Sequence, residues 1–149
     1  MEELRSFIES LSGIKPGIWF QVGIAFRETG ALIGDCGIRV ADVSRASPGQ
    51  AEIGITLAPA FQGRGLASEA LQALLGYLFT GLGMHRVFGS VDPRNLASMR
   101  LLKSAGMRQE AHCVESYWSK GGWTDDAIFG ILDREWIEAH RQPRPAPLS

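Results

Sequence analysis

Cysteine is scarce in this chain: Cys36 and Cys113 are the only two in 149 residues. They form no CxxC pair and no Cys/His cluster at metal-ligand spacing, which argues against a disulfide scaffold and a zinc module. A chain of this length buries roughly two-thirds of its unfolded surface, so it needs neither staple. No run of about 18 apolar residues is present, which excludes a membrane-spanning helix. Charge of one sign is lacking too. Fifteen Lys and Arg stand against 16 Asp and Glu, a net charge of −1. That balance argues against a general nucleic-acid or membrane-surface binder. The opening MEELRSFIES is acidic rather than basic-then-apolar, unlike a signal peptide, so the expected location is cytoplasmic. Glycine, by contrast, is abundant at 18 residues, and where those glycines sit decides the reading.

The pattern fits one domain over 1–140, followed by a flexible proline-rich tail, RQPRPAPLS, at 141–149. Leu4, Phe7, Ile8 and Leu11 space a short amphipathic helix over 1–12. The segments 18–26 and 31–40 are rich in β-branched and aromatic residues and are joined by RETG, which predicts a hairpin. A polar loop, SRASPGQ, precedes a third strand, AEIGITLAP, stopped by Pro59. The clearest helix follows, with Leu66, Ala70, Leu71, Leu74, Leu75, Leu78, Phe79 and Leu82 on one face and Gly81 and Gly83 at its end. A strand over 85–91 comes next, then a helix N-capped by Asn95 and closed by Gly106. The last elements are a strand over 107–118, a tight turn at SKGGW, and a strand with a short helical end over 124–136. Strand–helix–strand units demand parallel pairing and hairpins demand antiparallel pairing, so a mixed α/β sheet flanked by helices is expected.

Two glycines lie where chemistry is expected. The string QGRGLA, Gln62 to Ala67, joins the third strand to the long helix. Small residues there let a ligand approach the backbone. The first amides of a helix have no internal partner and carry partial positive charge, which suits a phosphate or pyrophosphate. Arg64 adds a charge inside the loop. A bare strand-to-helix turn eased by glycine is the competing reading. No Lys–Ser/Thr follows the glycines, so the loop is not a P-loop. The dinucleotide fingerprint fits poorly, because Ser68 takes its last place and Asp92 lies too far along.

QGRGLA does match the Q/R-x-x-G-x-G/A loop of the GCN5-related N-acetyltransferases, the GNAT family. Around it, the "EIG" strand at 52–54, the loop-helix QGRGLASEA, the helix from Asn95 through Ser98 to Gly106, and GGWTDDAIFGILDREW resemble the family's ribosomal-protein N-terminal acetyltransferase branch over roughly residues 31–136. The resemblance implies a mostly antiparallel sheet, splayed at its centre and flanked by helices. It implies an enzyme that moves an acetyl group from acetyl-CoA to a primary amine without a metal. The acceptor implied is a protein N-terminal α-amino group. The alternatives are a small amine such as an antibiotic or polyamine, a non-catalytic coenzyme A-binding module, and a different nucleotide-binding enzyme.

By the same resemblance, the backbone of Gln62, Gly63, Arg64, Gly65, Leu66 and Ala67 cradles the pyrophosphate. Leu57 and Ala58 pair with the pantetheine arm, Asn95 contacts that arm as well as capping its helix, and Lys103 reaches the 3′-phosphate or is a solvated surface lysine. Ser98 is the acid that protonates the leaving thiolate or a solvent-facing helix serine, and Tyr117 is the alternative acid. Glu52 is the base for the incoming amine or an exposed strand-end carboxylate. Glu115 lies on the substrate side, and His112 is a base or a structural histidine. Cys113 has no neighbour to lower its pKa, which argues against an acyl-cysteine intermediate. The family's usual first strand and helix are missing or shortened here. That leaves the strand at 18–26 as an exposed edge, so a second copy of the chain is expected to cover it, or the true start lies upstream.

Overall fold

The computed structural model describes residues 17–40, 49–63 and 65–141. The helix expected over 1–12, most of the loop 44–50, Arg64 and the tail from 142 lie outside them.

Six strands form one sheet in the order β1-β2-β3-β4-β6-β5. They are β1 (Phe20–Ala25), β2 (Leu32–Val40), β3 (Gln50–Leu57), β4 (Arg86–Val91), β5 (Arg108–Ser119) and β6 (Gly122–Leu132). Among the described residues, α1 (Leu66–Gly76) and α2 (Leu96–Ser104) connect strands, and α3 (Asp133–Ala139) follows β6. Every neighbouring pair is antiparallel except β3–β4, which α1 links as a parallel crossover. The mixed, mostly antiparallel sheet is the architecture expected from the sequence.

Alternation sorts the two faces of the sheet. On β2, Cys36, Ile38 and Val40 are buried while Asp35 and Arg39 are exposed. On β6, Ala127, Phe129 and Ile131 join the core. Against that apolar face lies α1, whose Ala70, Leu71, Leu74 and Leu75 are buried at helical spacing. The other face carries Asp35, Arg39, Glu52, Thr56, Ser90 and Asp126.

The long helix does not run as an α-helix to Leu82. After Gly76 it widens into a π-turn over Tyr77–Gly81, in which the Leu82 amide donates to the Tyr77 carbonyl at 3.0 Å. The Thr80 hydroxyl donates back to the Gly76 carbonyl at 2.5 Å. A hydroxyl that competes for a carbonyl of the ladder is a recognised cause of such bends. Leu78 and Phe79 stay buried through the turn.

β3 and β4 pair at only three positions, Gln50–Arg86, Ala51–Val87 and Glu52–Phe88. One residue further on, a Cβ built on Gly89 would come within 3.0 Å of the Ile53 carbonyl oxygen. Glycine lets the strands remain close there before they part.

Leu74 is 1% exposed in the centre of the core. Leu74→Ala is expected to cost about 2–5 kcal/mol in urea unfolding. Leu96→Ala, at a residue 60% exposed, is expected to change stability by less than about 0.5 kcal/mol.

Candidate active site

Past Glu52 the two central strands diverge, and backbone polarity on β3 becomes available. The Ala58 amide donates to the Ile33 carbonyl of β2 at 2.7 Å. A Cβ on Gly34 would strike the Thr56 carbonyl. Residues 56 and 58 therefore turn their backbone groups toward β2, and alternation turns those of Ile53, Ile55 and Leu57 toward the gap. This sets Leu57 and Ala58 apart: Leu57 faces the gap, whereas the amide of Ala58 is spent on β2.

Two cavities meet in that gap. One, of about 580 Å³, is walled by Trp19, Asp35, Gly54, Thr56, Ser90 and Asp92. The other, of about 480 Å³, extends along the glycine loop past Leu57, Gln62, Gly63, Gly65 and Ala67. Ile55, Thr56, Asn95, Ser98 and Leu101 border both.

The loop is shaped by two left-handed residues, Gly63 with φ 77° and Gly65 with φ 75°. A Cβ on either would meet nothing within 4 Å, so the backbone presents an open surface to the second cavity. The Gln62 side chain braces it, its Nε2 donating to the Leu57 carbonyl at 3.0 Å. Gly65 is the N-cap of α1, and the amides of the first turn point outward with no helical partner. This concave, amide-lined surface is fit for a pyrophosphate. Leu66 contributes its backbone at most, because its side chain packs against the core.

On the opposite wall, Asn95 caps α2: its Oδ1 accepts from the Ser98 amide at 3.1 Å. From that position Asn95 borders both cavities. The helix face formed by Ala97, Arg100, Leu101 and Ser104 lines the loop cavity. Lys103 does not. Arg100 was missed in the sequence, although the i, i+3, i+4, i+7 spacing of 97, 100, 101 and 104 identifies the face once Asn95 and Ser98 are placed.

The charged candidates separate. Glu52 closes the paired part of β3–β4, its carboxylate held by Arg39 and 15% exposed, and it lines neither cavity. Asp92 does line the first cavity, and hydrogen bonds from Arg94 hold its carboxyl down at about 2. Asp125 also lies below the ordinary range, chiefly through His112 at 2.7 Å and the Glu115 amide at 2.9 Å. Those bonds pin an irregular stretch of β5 between Cys113 and Tyr117, with Glu115 at φ 45°. His112 is thus engaged on the hairpin, and Tyr117 is 60% exposed there and borders neither cavity. Asp126 points to the open face and moves the opposite way. Burial raises its pKa, the Ser90 hydroxyl bond lowers it, and the charges of Glu52 and Asp92 raise it further.

The structure therefore gathers Leu57, Gln62, Gly63, Gly65, Ala67, Asn95 and Ser98 around the gap. It leaves Ala58, Lys103, Glu52 and Tyr117 outside both cavities. Among the described residues, no group of three His, Cys, Asp or Glu is placed to hold a metal. Asp92 offers a direct check. Its folded pKa is depressed, so its share of stability is present above the ordinary carboxylate value and is lost as pH falls through about 2. A carboxyl-carbon NMR titration is expected to show Asp92 still charged at about pH 3, and Arg94→Ala to return its midpoint toward about 3.9.

The family model for the acetyltransferase (GNAT) domain matches residues 1–108. An N-acetyltransferase of Bacillus licheniformis, p20, is 37% identical over 137 residues, covering 91% of this chain and 75% of that protein. The spermidine N(1)-acetyltransferase of Vibrio cholerae is 31% identical, covering 58% of this chain and 50% of the relative. The [ribosomal protein uS5]-alanine N-acetyltransferase of Escherichia coli is 26% identical, covering 82% and 62%. Among solved structures, a GNAT acetyltransferase from Bacillus anthracis superposes with a TM-score of 0.69 at 26% identity, over 76% of this chain and 66% of that one. The chain spans from half to three-quarters of the length of these relatives. Family model, relatives and splayed sheet agree: the chain belongs to the GNAT family of N-acetyltransferases, which draw their acetyl group from acetyl-CoA.

Proposed function

We propose that this protein transfers an acetyl group from acetyl-CoA to a primary amine, by direct attack of the neutral amine on the thioester. The observation that carries this reading is the confluence of two cavities in the gap between β3 and β4, at the foot of the glycine loop. The loop cavity takes the coenzyme. Gly63, Gly65 and the first amides of α1 receive its pyrophosphate, and the Ile55 and Leu57 backbone pairs with the extended pantetheine arm as an added strand would. Arg100 stands in the loop cavity and is the cation offered to coenzyme phosphate, in place of Lys103.

The thioester then lies where both cavities meet. An amide of β3 facing the gap steadies the oxyanion that develops on its carbonyl. A nitrogen–carbon bond forms, the carbon–sulfur bond breaks, and Ser98, which borders both cavities, gives the departing thiolate its proton. Direct transfer needs no acyl-cysteine. Cys36 is buried, its thiol pushed up to about 12, and no thiolate is on offer there.

The acceptor enters from the open face of the sheet. A protein N-terminal α-amino group is the favoured acceptor, because the first cavity is large and reaches the surface beside Trp19 and Asp35. This fits the relative that acts on ribosomal protein uS5. A polyamine is the second reading. It is favoured by the carboxylates Asp35 and Asp92 on the cavity wall and by the relative that acts on spermidine. β1 stands at the edge of the sheet, and pairing with a second copy of the chain is proposed there; a clean monomer in gel filtration would count against it.

Acetyl-CoA is expected to raise the melting temperature, whereas ATP and NAD leave it unchanged. No shift with acetyl-CoA sinks the reading. Free-thiol release over a panel of N-terminal peptides and polyamines then identifies the acceptor class. Ser98→Ala is expected to lower kcat about 100-fold or more while the acetyl-CoA melting shift persists. Gly65→Val is expected to abolish that shift, since φ 75° strains any β-branched residue and the side chain fills the cradle.

A further inference from the structure

Under the acetyltransferase reading the amine enters through the first cavity, and what that cavity admits depends on its floor. Along β3 the lining changes in order. Gly54 borders the first cavity alone, Ile55 and Thr56 border both, and Leu57 borders the loop cavity alone. Gly54 is therefore the last residue of β3 on the acceptor's side of the place where the two cavities meet.

Register and alternation give the floor a pattern. Three rows of open-face residues cross β2 and β3 side by side: Asp35 with Thr56, Gly37 with Gly54, and Arg39 with Glu52. The middle row has no side chains, so it forms a trough between two polar rows. Its two glycines are not equivalent. A Cβ on Gly37 would lie 3.2 Å from the Trp19 ring and 3.1 Å from Gln21 Nε2, whereas a Cβ on Gly54 would meet nothing within 4 Å. Trp19 thus covers the outer half of the trough and stops short of the inner half. The ring is held from a flanking row, because the Arg39 guanidinium stands 5.0 Å from its centroid and is ion-paired with Glu52. An empty place remains at Gly54, with Trp19 on one side and the gap on the other.

The geometry points to Gly54 as the residue that sets which amines are accepted: the acceptor's chain crosses the strands over Gly54, against the Trp19 ring, and the missing side chain admits it. The inference deepens the acetyltransferase reading and rests on it. The ligand is a primary amine whose carbon chain packs on that bare backbone. Trp19 touches it, and Arg39 acts through Trp19 as a positioning residue. The fold itself does not ask for glycine at 54. Its backbone lies outside the left-handed region, and added atoms would clash with nothing. Glycine inside a strand weakens it, and one that neither bulges nor meets a neighbour fits a close approach by a ligand.

The test is a size series, Gly54→Ala and Gly54→Val, measured with the best acceptor from the panel. kcat/KM for the amine is expected to fall with side-chain size, by about 10-fold or more for Val. The KM for acetyl-CoA and its melting shift are expected to stay at wild-type values. The melting temperature without ligands is expected to be unchanged or higher in both variants. Adding Trp19→Ala to Gly54→Val is expected to recover part of the loss, by returning room to the acceptor. Unchanged amine kinetics in Gly54→Val overturn the inference. So does a loss shared equally by acetyl-CoA, or a double variant that recovers nothing. If Gly54→Val does not fold, Gly54→Ala alone and with Trp19→Ala gives the same reading. Wild-type protein that binds acetyl-CoA but acetylates nothing on the panel would instead refute the acetyltransferase reading itself.

Discussion

The short pairing between β3 and β4 is the constraint on which the rest of the molecule depends. Three residue pairs hold the parallel strands together, and Gly89 allows one more close approach. Beyond it the strands part, and the backbone groups of Ile53, Ile55 and Leu57 are left facing a gap. The Leu57 carbonyl is taken up by the Gln62 side chain, and backbone groups turned away from a partner strand gain from any ligand that pairs with them. An extended arm carrying amide groups is such a ligand, so the break in the sheet is itself a binding element.

Everything else in the site is arranged about that break. α1 starts where β3 ends, because Pro59 stops the strand and Gly63 and Gly65 turn the chain back sharply. Its free amides therefore open onto the same space. α2 begins just beyond β4, with its cap residue Asn95 and with Ser98 on the far wall. Among the described residues α1 buries its apolar face on one side of the sheet, and the other side carries the polar side chains of Asp35, Thr56 and Ser90 that border the first cavity. Charge on that open side is largely neutralised locally, by Arg39 on Glu52 and Arg94 on Asp92. Asp126, on the same face, has the raised proton affinity of a partly buried carboxylate near like charges.

Much of this was legible in the sequence. The strands, both main helices, the Asn95 cap and the glycine loop follow from local rules: alternation, helical spacing, capping chemistry and glycine's access to left-handed backbone. Gly63 and Gly65 adopt that backbone, and Asn95 does accept from the Ser98 amide. The resemblance in QGRGLA and its neighbours led to the family. The π-turn over Tyr77–Gly81 escaped, because a single threonine hydroxyl competing with the helix ladder leaves the apolar spacing unchanged.

The catalytic side chains were harder, for a physical reason. Glu52 stood as a base or an exposed carboxylate, but whether a carboxylate is free or held depends on what lies across the sheet, and Arg39 is thirteen residues away. Ala58 looked equivalent to Leu57 until the hydrogen bond to Ile33 showed which way each backbone turns. Local order and the phosphate-binding loop were set by the sequence itself, because adjacent residues determine them. The gap and the pairing of charges were decided by tertiary structure, because each depends on residues that only folding brings together.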